Sequence, residues 1–239
     1  MYFILYLFLF LQICYYPYKV HFNPWFCKEI NYMYTQTQFG RSFVFGRSDW
    51  EYVFNTFSFA YAIGYHFIET SSGSMNGNFL GLGADYACNE SIRVDATKSG
   101  GLLITNGEFT AFHNSQFAPN NTAVPTQLKV TSTNTGPVTI NSCSFWGQTN
   151  NIAELYGSGT TSFTASEFVT WDGYKKNGAA AITANNGNVI INGCEFQKSG
   201  KQVQFLKGTK KVIVINNILT GSWNAEIDSS VTKAIGNNL

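Results

Sequence analysis

The segment IleAsnSerCysSerPhe (140–145) returns later in the chain as IleAsnGlyCysGluPhe (191–196). Related segments are IleThrAsnGlyGluPhe (104–109), PheThrAlaSerGluPhe (163–168) and IleAsnAsnIleLeu (215–219). Each opens on an apolar residue, passes through small or polar residues, and closes on Phe or an aliphatic residue. Because Asn and Gly tolerate the left-handed backbone angles of a bend, each segment predicts two short strands with a bend between them.

A second spacing places these segments in a longer repeat. Apolar residues predicted to face inward recur eight positions apart, as Val94/Leu102, Val130/Val138, Leu155/Phe163, Ile182/Ile190, Phe205/Ile213 and Ile227/Ile235. Strand–turn–strand units repeated at short intervals are typical of a solenoid, in which each coil covers the apolar face of the next. We therefore predict an all-β, parallel β-helix of six to eight coils over residues 42–239, incomplete at one or both ends.

The repeat also predicts what fills the core. The closing phenylalanines occupy equivalent positions and should stack inside the solenoid; they are Phe109, Phe145, Phe168 and Phe196. Cys143 and Cys194 are equivalent too, but Ser166 stands between them, so they should lie about 9–10 Å apart at the spacing of parallel strands. A disulfide needs Cα atoms within about 7 Å, and we expect both thiols to be free.

Composition excludes some functions and suggests a location. The chain is 12% charged with a net charge of +1 and contains no run of Lys or Arg, so no nucleic-acid partner is expected. Residues 1–41 share nothing with the repeats, and residues 3–13 form an apolar run of signal-peptide length. We expect a secreted or cell-surface protein; a short membrane anchor and a mis-assigned gene start are the alternatives.

The repeated segments resemble the right-handed parallel β-helices of the pectate-lyase-like superfamily, which includes pectate lyases, polygalacturonases and phage tailspikes. The resemblance covers about residues 42–239 and implies binding or cleavage of an extended polysaccharide along a groove on the side of the solenoid. The chain departs from the polygalacturonases, because it lacks their N-T-D, D-D, G-H-G and R-I-K motifs; Asn55-Thr56 is followed by Phe57. Hydrolysis by their mechanism is therefore not expected.

Outward residues of the first strand in each coil form the main candidate catalytic site. Arg93, Lys129 and Glu154 should form a row, with Asp95 beside Arg93. In β-elimination from a uronate, one cation neutralises the substrate carboxylate and a basic side chain removes the α-proton. Asp95 and Glu154 would orient the cations or hold Ca²⁺. The alternative is a solvated strand face of mixed charge.

A second row precedes the closing phenylalanines and contains Glu167 and Glu195. Two neighbouring carboxylates match a retaining glycosidase pair or a site for a divalent cation such as Ca²⁺, although two screened surface glutamates have the same pattern. Trp146, Trp171, Tyr174 and Tyr156 are candidates for stacking on sugar rings; for the first three, packing of the rings over the edge of the solenoid is the alternative. The insertion at residues 111–125 is expected to project over one face, and His66 and His113 look like isolated, hydrogen-bonded residues.

These residues support functions of two classes. The first is an extracellular lyase or hydrolase acting on an acidic polysaccharide. The second is a non-catalytic β-helix, serving as an adhesin, a spike or a glycan-binding scaffold, and an inactive truncated paralogue is a further alternative. A fold by itself does not decide between them.

Overall fold

The computed structural model of the protein describes residues 30–113 and 122–239. Over these residues the chain is a parallel β-solenoid of about eight turns, which confirms the predicted fold class and the number of coils. The apolar run at 3–13, Cys14, Cys27 and the middle of the predicted long loop (114–121) lie outside the described residues.

One helix, α1 (Ile30–Phe39), precedes the strands. The strands follow in chain order: β1 (Arg41–Phe45), β2 (Glu51–Phe59), β3 (Ile63–Phe67), β4 (Met75–Ala87), β5 (Glu90–Val94), β6 (Thr97–Thr105), β7 (Glu108–Ala111), β8 (Thr126–Val130), β9 (Val138–Asn141), β10 (Ser144–Trp146), β11 (Asn151–Leu155), β12 (Thr160–Thr164), β13 (Glu167–Phe168), β14 (Ile182–Ala184), β15 (Asn188–Asn192), β16 (Glu195–Phe196), β17 (Val203–Phe205), β18 (Lys211–Ile215), β19 (Ile218–Leu219), β20 (Ala225–Ile227) and β21 (Thr232–Gly236).

The strands form two parallel sheets, which we call sheet A and sheet B. Sheet A contains one strand from each turn, in the order β1-β3-β5-β8-β11-β14-β17-β20. Sheet B has two arms that meet at the long strand β4: the first arm runs through β6, β9, β12, β15, β18 and β21, and the second through β7, β10, β13, β16 and β19. Each turn therefore has three straight sides around one apolar core.

The bend between the two arms of sheet B has the same backbone conformation in every turn. One residue there has a positive φ, between 47° and 70°, a conformation that glycine and asparagine tolerate best. Polar side chains of the next turn support the bend: Ser166 Oγ accepts from the Cys143 amide at 3.2 Å, and Asn217 Oδ1 accepts from the Cys194 amide at 2.9 Å. The positive-φ residues are Asn55, Gly81, Asn106, Ser142, Ala165, Gly193, Asn216 and Asn237.

The predicted phenylalanine ladder is present in the core. Phe109, Phe145, Phe168 and Phe196 are paired in register along the second arm and are fully buried. Their successive ring centroids are 5.3, 6.0 and 4.8 Å apart. Cys143 and Cys194 are buried free thiols, as predicted, and burial raises the pKa of each to about 11.

The spacing of eight residues predicts the first arm incorrectly in the later turns. Ile213 pairs with Ile190 on the outer face and is 39% exposed, while its neighbours Val212 and Val214 face the core. Side chains alternate between the two faces of a strand. In a turn that is longer or shorter by one residue, the residue eight positions on therefore points outward instead of into the core. Ile235 does share the inward row of Val214, but it lies on the last strand and stays 37% exposed.

Helix α1 lies against the first turns of the solenoid. The Gln36 side-chain amide donates to the carbonyl oxygens of Phe59 and Ala60, at 3.2 and 3.0 Å, and the Gln36 carbonyl accepts from the Ala62 amide. Within residues 30–113 and 122–239, no helix has both the length and the apolar character required to cross a membrane.

Candidate functional site

The outer face of sheet A carries the row of side chains that the sequence predicts. Arg93 of β5 pairs in register with Lys129 of β8, which pairs with Glu154 of β11. The row extends in one direction to His66 of β3 and in the other to Thr183, Gln204 and Glu226. Parallel strands lie about 4.8 Å apart, so neighbouring members of the row are within reach of one another.

Arg93, Asp95 and His66 form a hydrogen-bonded cluster at one end of this row. The Arg93 Nε donates to Asp95 Oδ1 at 3.0 Å, and His66 Nε2 lies 2.6 Å from Asp95 Oδ2. On its other side, His66 Nδ1 lies 3.4 Å from the Arg41 guanidinium, which can only donate. His66 is therefore neutral here, with its proton on Nε2 and a lone pair on Nδ1.

The charge states of this cluster follow from burial and from its hydrogen bonds. Burial lowers the pKa of His66 below its ordinary value of 6.5; the Asp95 carboxylate opposes this, and Arg93 and Arg41 add to it. Burial alone would raise the pKa of Asp95, but the His66 hydrogen bond and the Arg93 guanidinium outweigh it and leave that pKa below 3.8. Asp95 is thus charged at neutral pH, and His66 is not.

Glu90 is a buried carboxylate beside the two predicted cations. It is 8% exposed, and its Oε1 lies 3.8 Å from both the Arg93 guanidinium and the Lys129 ammonium. Lys129 is also 3.4 Å from Glu154 Oε2. Burial raises the pKa of Glu90 above 4.5; Lys129 and Arg93 oppose that rise, and Glu154 and Asp95 add to it.

These side chains line a continuous groove along sheet A. One part, of about 440 Å³, is lined by Glu90, Arg93, Lys129, Glu154 and Tyr156 together with Ile63, Asn89, Ala123 and Val124. A second part continues over Arg41, His66 and Asp95, and a third over Tyr156 towards Asn185 and Asn186. Ala123 and Val124 belong to the predicted long insertion, so its described end does border the groove.

Asp95 and Glu154 are each engaged by a cation, Asp95 by Arg93 and Glu154 by Lys129. Of the two roles predicted for them, this arrangement favours orienting the cations. The other predicted metal ligands, Glu167 and Glu195, are paired in register on the second arm of sheet B, as expected. Among the described residues, however, no group of three or more His, Cys, Asp or Glu side chains could hold a metal ion.

The predicted aromatic residues have different environments. Tyr156 lines the groove, whereas Trp146 is 39% exposed on sheet B and its indole donates to Glu108 Oε1 at 3.1 Å. Tyr174 stacks on His113, with ring centroids 4.4 Å apart. None of these contacts tests sugar binding, but Tyr156 is the one of the three that lies beside Arg93 and Lys129.

Trp171 corrects the sequence-based assignment. It is 1% exposed and packs edge-on against Phe196 at 6.1 Å between ring centroids, and Lys198 donates to its backbone carbonyl. Because the indole ring of Trp171 is buried, neither of its faces is accessible to a sugar ring. Trp171 is therefore a packing residue. The sequence misleads here because a loop tryptophan can pack back onto a solenoid edge as readily as it can project from it.

Sequence reasoning missed His66, Glu90 and Arg41 as members of the site. His66 looked isolated because Asp95 is 29 residues away in the chain and one turn away in space. Glu90 could have been recognised from the sequence. It lies two and four residues before Ile92 and Val94, which face the core, and a carboxylate is seldom found on that face of a strand. Arg41 forms no ion pair with any residue in the described part of the chain.

Comparison with protein-family models gives no match to this chain, and neither the curated proteins nor the solved structures include a significant match. The site is therefore interpreted from its own geometry.

Proposed function

We propose that the groove on sheet A binds an acidic polysaccharide, with its long axis along the solenoid. The observation that carries this proposal is the pair Arg93 and Lys129, side by side on the groove floor and each about one-third exposed. Asp95 hydrogen-bonds Arg93 through Nε, and Glu90 Oε1 lies 3.8 Å from Nη1, beyond hydrogen-bond distance, so the terminal nitrogens can still donate to a carboxylate or sulfate of the ligand. Arg41, whose guanidinium contacts His66 Nδ1, would extend the same row of cations towards the first turn.

The repeat of the solenoid suits a polymer. Strands of sheet A present one side chain every 4.8 Å or so along the axis, a distance similar to the length of one sugar residue. Tyr156 adds an aromatic ring beside Lys129 for the apolar face of a sugar. Membership of the right-handed pectate-lyase-like superfamily is part of this proposal and rests on the repeated sequence segments; an extracellular location rests on the apolar run at 3–13.

Cleavage by β-elimination is a second candidate, favoured by the neutral imidazole of His66 beside Arg93. Arg93 would neutralise the uronate carboxylate, and His66 would accept the proton from the carbon next to it through its Nδ1 lone pair. The electron pair forms a carbon–carbon double bond, the glycosidic C–O bond breaks, and solvent protonates the departing oxygen. A non-catalytic adhesin or scaffold would use the same groove without this proton transfer.

One experiment separates these functions. The protein is titrated with oligogalacturonate and with its fully methyl-esterified, uncharged form, and the unsaturated product is followed by near-ultraviolet absorbance. We expect binding of the acidic oligomer alone; an absorbance gain would establish the lyase, and binding without it the scaffold. Equal affinity for the two oligomers would refute the proposal. The absence of binding to every member of a panel of acidic glycans would refute it as well.

A further inference from the structure

Three carboxylates surround the two cations of the groove floor. Asp95 holds Arg93, Glu154 holds Lys129, and Glu90 faces both cations at 3.8 Å from each. With all three ionised, the immediate surroundings of Arg93 and Lys129 carry one negative charge in excess. An anionic ligand that approaches these cations would meet a carboxylate already beside them.

We infer that Glu90 decides the charge of the ligand that this groove accepts: an anionic sugar binds together with a proton on Glu90. The inference rests on the proposed function and adds a specificity residue to it. Of the three carboxylates, Glu90 is the one that lies beside both cations and is buried, so little water can stabilise its charge once a ligand competes for Arg93 and Lys129.

The groups around Glu90 act on its charge in both directions. Arg93 of the same strand and Asp95, which follows that strand, act on it through their charges; β8 contributes Lys129 and β11 contributes Glu154. Burial favours the protonated form of Glu90, Lys129 and Arg93 oppose it, and Glu154 and Asp95 add to it, so that the pKa of Glu90 in the free protein lies above its ordinary value of 4.5. A bound carboxylate adds negative charge beside Glu90 and weakens the interaction of Glu90 with Arg93 and Lys129. Ligand binding therefore favours the protonated form of Glu90 further.

The sign of the pH dependence follows from this coupling. Since the ligand favours protonated Glu90, it binds most tightly at low pH and more weakly as the pH rises through the Glu90 pKa, which lies above 4.5. Uptake of one proton makes the affinity change by at most about tenfold per pH unit. Above the pH at which Glu90 is ionised even with ligand bound, the affinity should become constant.

The test measures the affinity for oligogalacturonate by calorimetry from pH 5 to pH 8, where the oligomer itself stays ionised. The variant Glu90→Gln keeps the shape of the side chain without its charge, and its pH profile should be flat, with an affinity at pH 8 higher than that of the wild type. Glu226→Gln, in the same row at the far end of sheet A, is the matched control and should keep the wild-type profile.

Proton uptake gives a second measurement that needs no variant. Titration of the wild-type protein in two buffers of different ionisation enthalpy should show up to one proton taken up per ligand bound, over the pH range in which the affinity falls. Binding with a flat wild-type profile and no proton uptake would overturn the role of Glu90 and leave the proposed function standing. If neither the wild type nor Glu90→Gln binds the oligomer at any pH, the proposed function and this inference both fail.

Discussion

The same repeat positions the phenylalanine ladder inside the solenoid and the charged row outside it. The two differ in whether the residue type is kept from one turn to the next. In the ladder, the same residue type recurs at equivalent positions, from Phe109 to Phe196, and every ring is buried. Along the row, the residue changes at each step, from His66 through Arg93 and Lys129 to Glu154. Repetition therefore supports stability in the core, whereas variation on the surface concentrates charges over a few turns.

The sharpest test of the interior is Phe168→Ala. The ring contacts Phe145, Phe163 and Phe196 with centroids 4.8–6.0 Å away, so its removal leaves a cavity that the stacked turns cannot close. We expect the free energy of unfolding to fall by about 3–5 kcal/mol, measured by chemical denaturation. If the free energy of unfolding falls by less than it does for a typical surface substitution, the ladder does not hold adjacent turns together.

The exterior is tested by Lys129→Ala. We expect the affinity for oligogalacturonate to fall by about 10- to 100-fold, since a hydrogen bond to a charged group contributes about 1.5–3 kcal/mol. Lys201→Ala is the control, because Lys201 is also ion-paired, with Glu226 at 2.7 Å, but does not line the groove. Equal losses for the two variants would mean that the groove attracts anions only through overall charge.

The pH dependence of stability distinguishes the charged cluster from the core. The pKa of folded His66 lies below 6.5, so the unfolded chain takes up the proton first as the pH falls through 6.5. The contribution of His66 to the free energy of unfolding is then complete above pH 6.5 and decreases below it. Chemical denaturation of the wild type and of His66→Gln between pH 8 and pH 5 should show a steeper decrease for the wild type.

The contribution of Glu90 to the free energy of unfolding changes with pH in the opposite direction, because its pKa is raised in the folded protein. Glu90 is present in both the wild type and His66→Gln, so its contribution cancels when the two proteins are compared. Parallel pH profiles for the wild type and His66→Gln would contradict the neutral, buried imidazole.

The smallest effects are expected at the bend of sheet B. Gly193 has a φ of 65° and nothing within 4 Å of where a Cβ would lie, so Gly193→Ala should cost about 1 kcal/mol through backbone conformation alone. Ala165 occupies the equivalent position with a φ of 47°, and Ala165→Gly should be neutral or stabilising by up to about 1 kcal/mol. Thermal unfolding of both variants checks this; a change of the same sign in both would refute equivalent bends.

The sequence by itself predicted the parallel solenoid, its number of turns, the phenylalanine ladder and the free thiols at Cys143 and Cys194. It could do so because these features repeat: each turn stacks on the last, and a residue type that recurs at one place must occupy one row. The row Arg93–Lys129–Glu154 followed from the same reasoning, because strand parity and one-turn spacing place it without further information.

Only the tertiary structure decided which neighbours surround that row. His66 and Glu90 belong to the site because a turn brings them beside Asp95, Arg93 and Lys129, and turns of unequal length hide such contacts in the sequence. The same irregular lengths reversed the facing of Ile213 and let Trp171 pack into the core. Repetition is a local property that the chain records directly, whereas the burial of a single side chain depends on loops whose paths are determined only by packing.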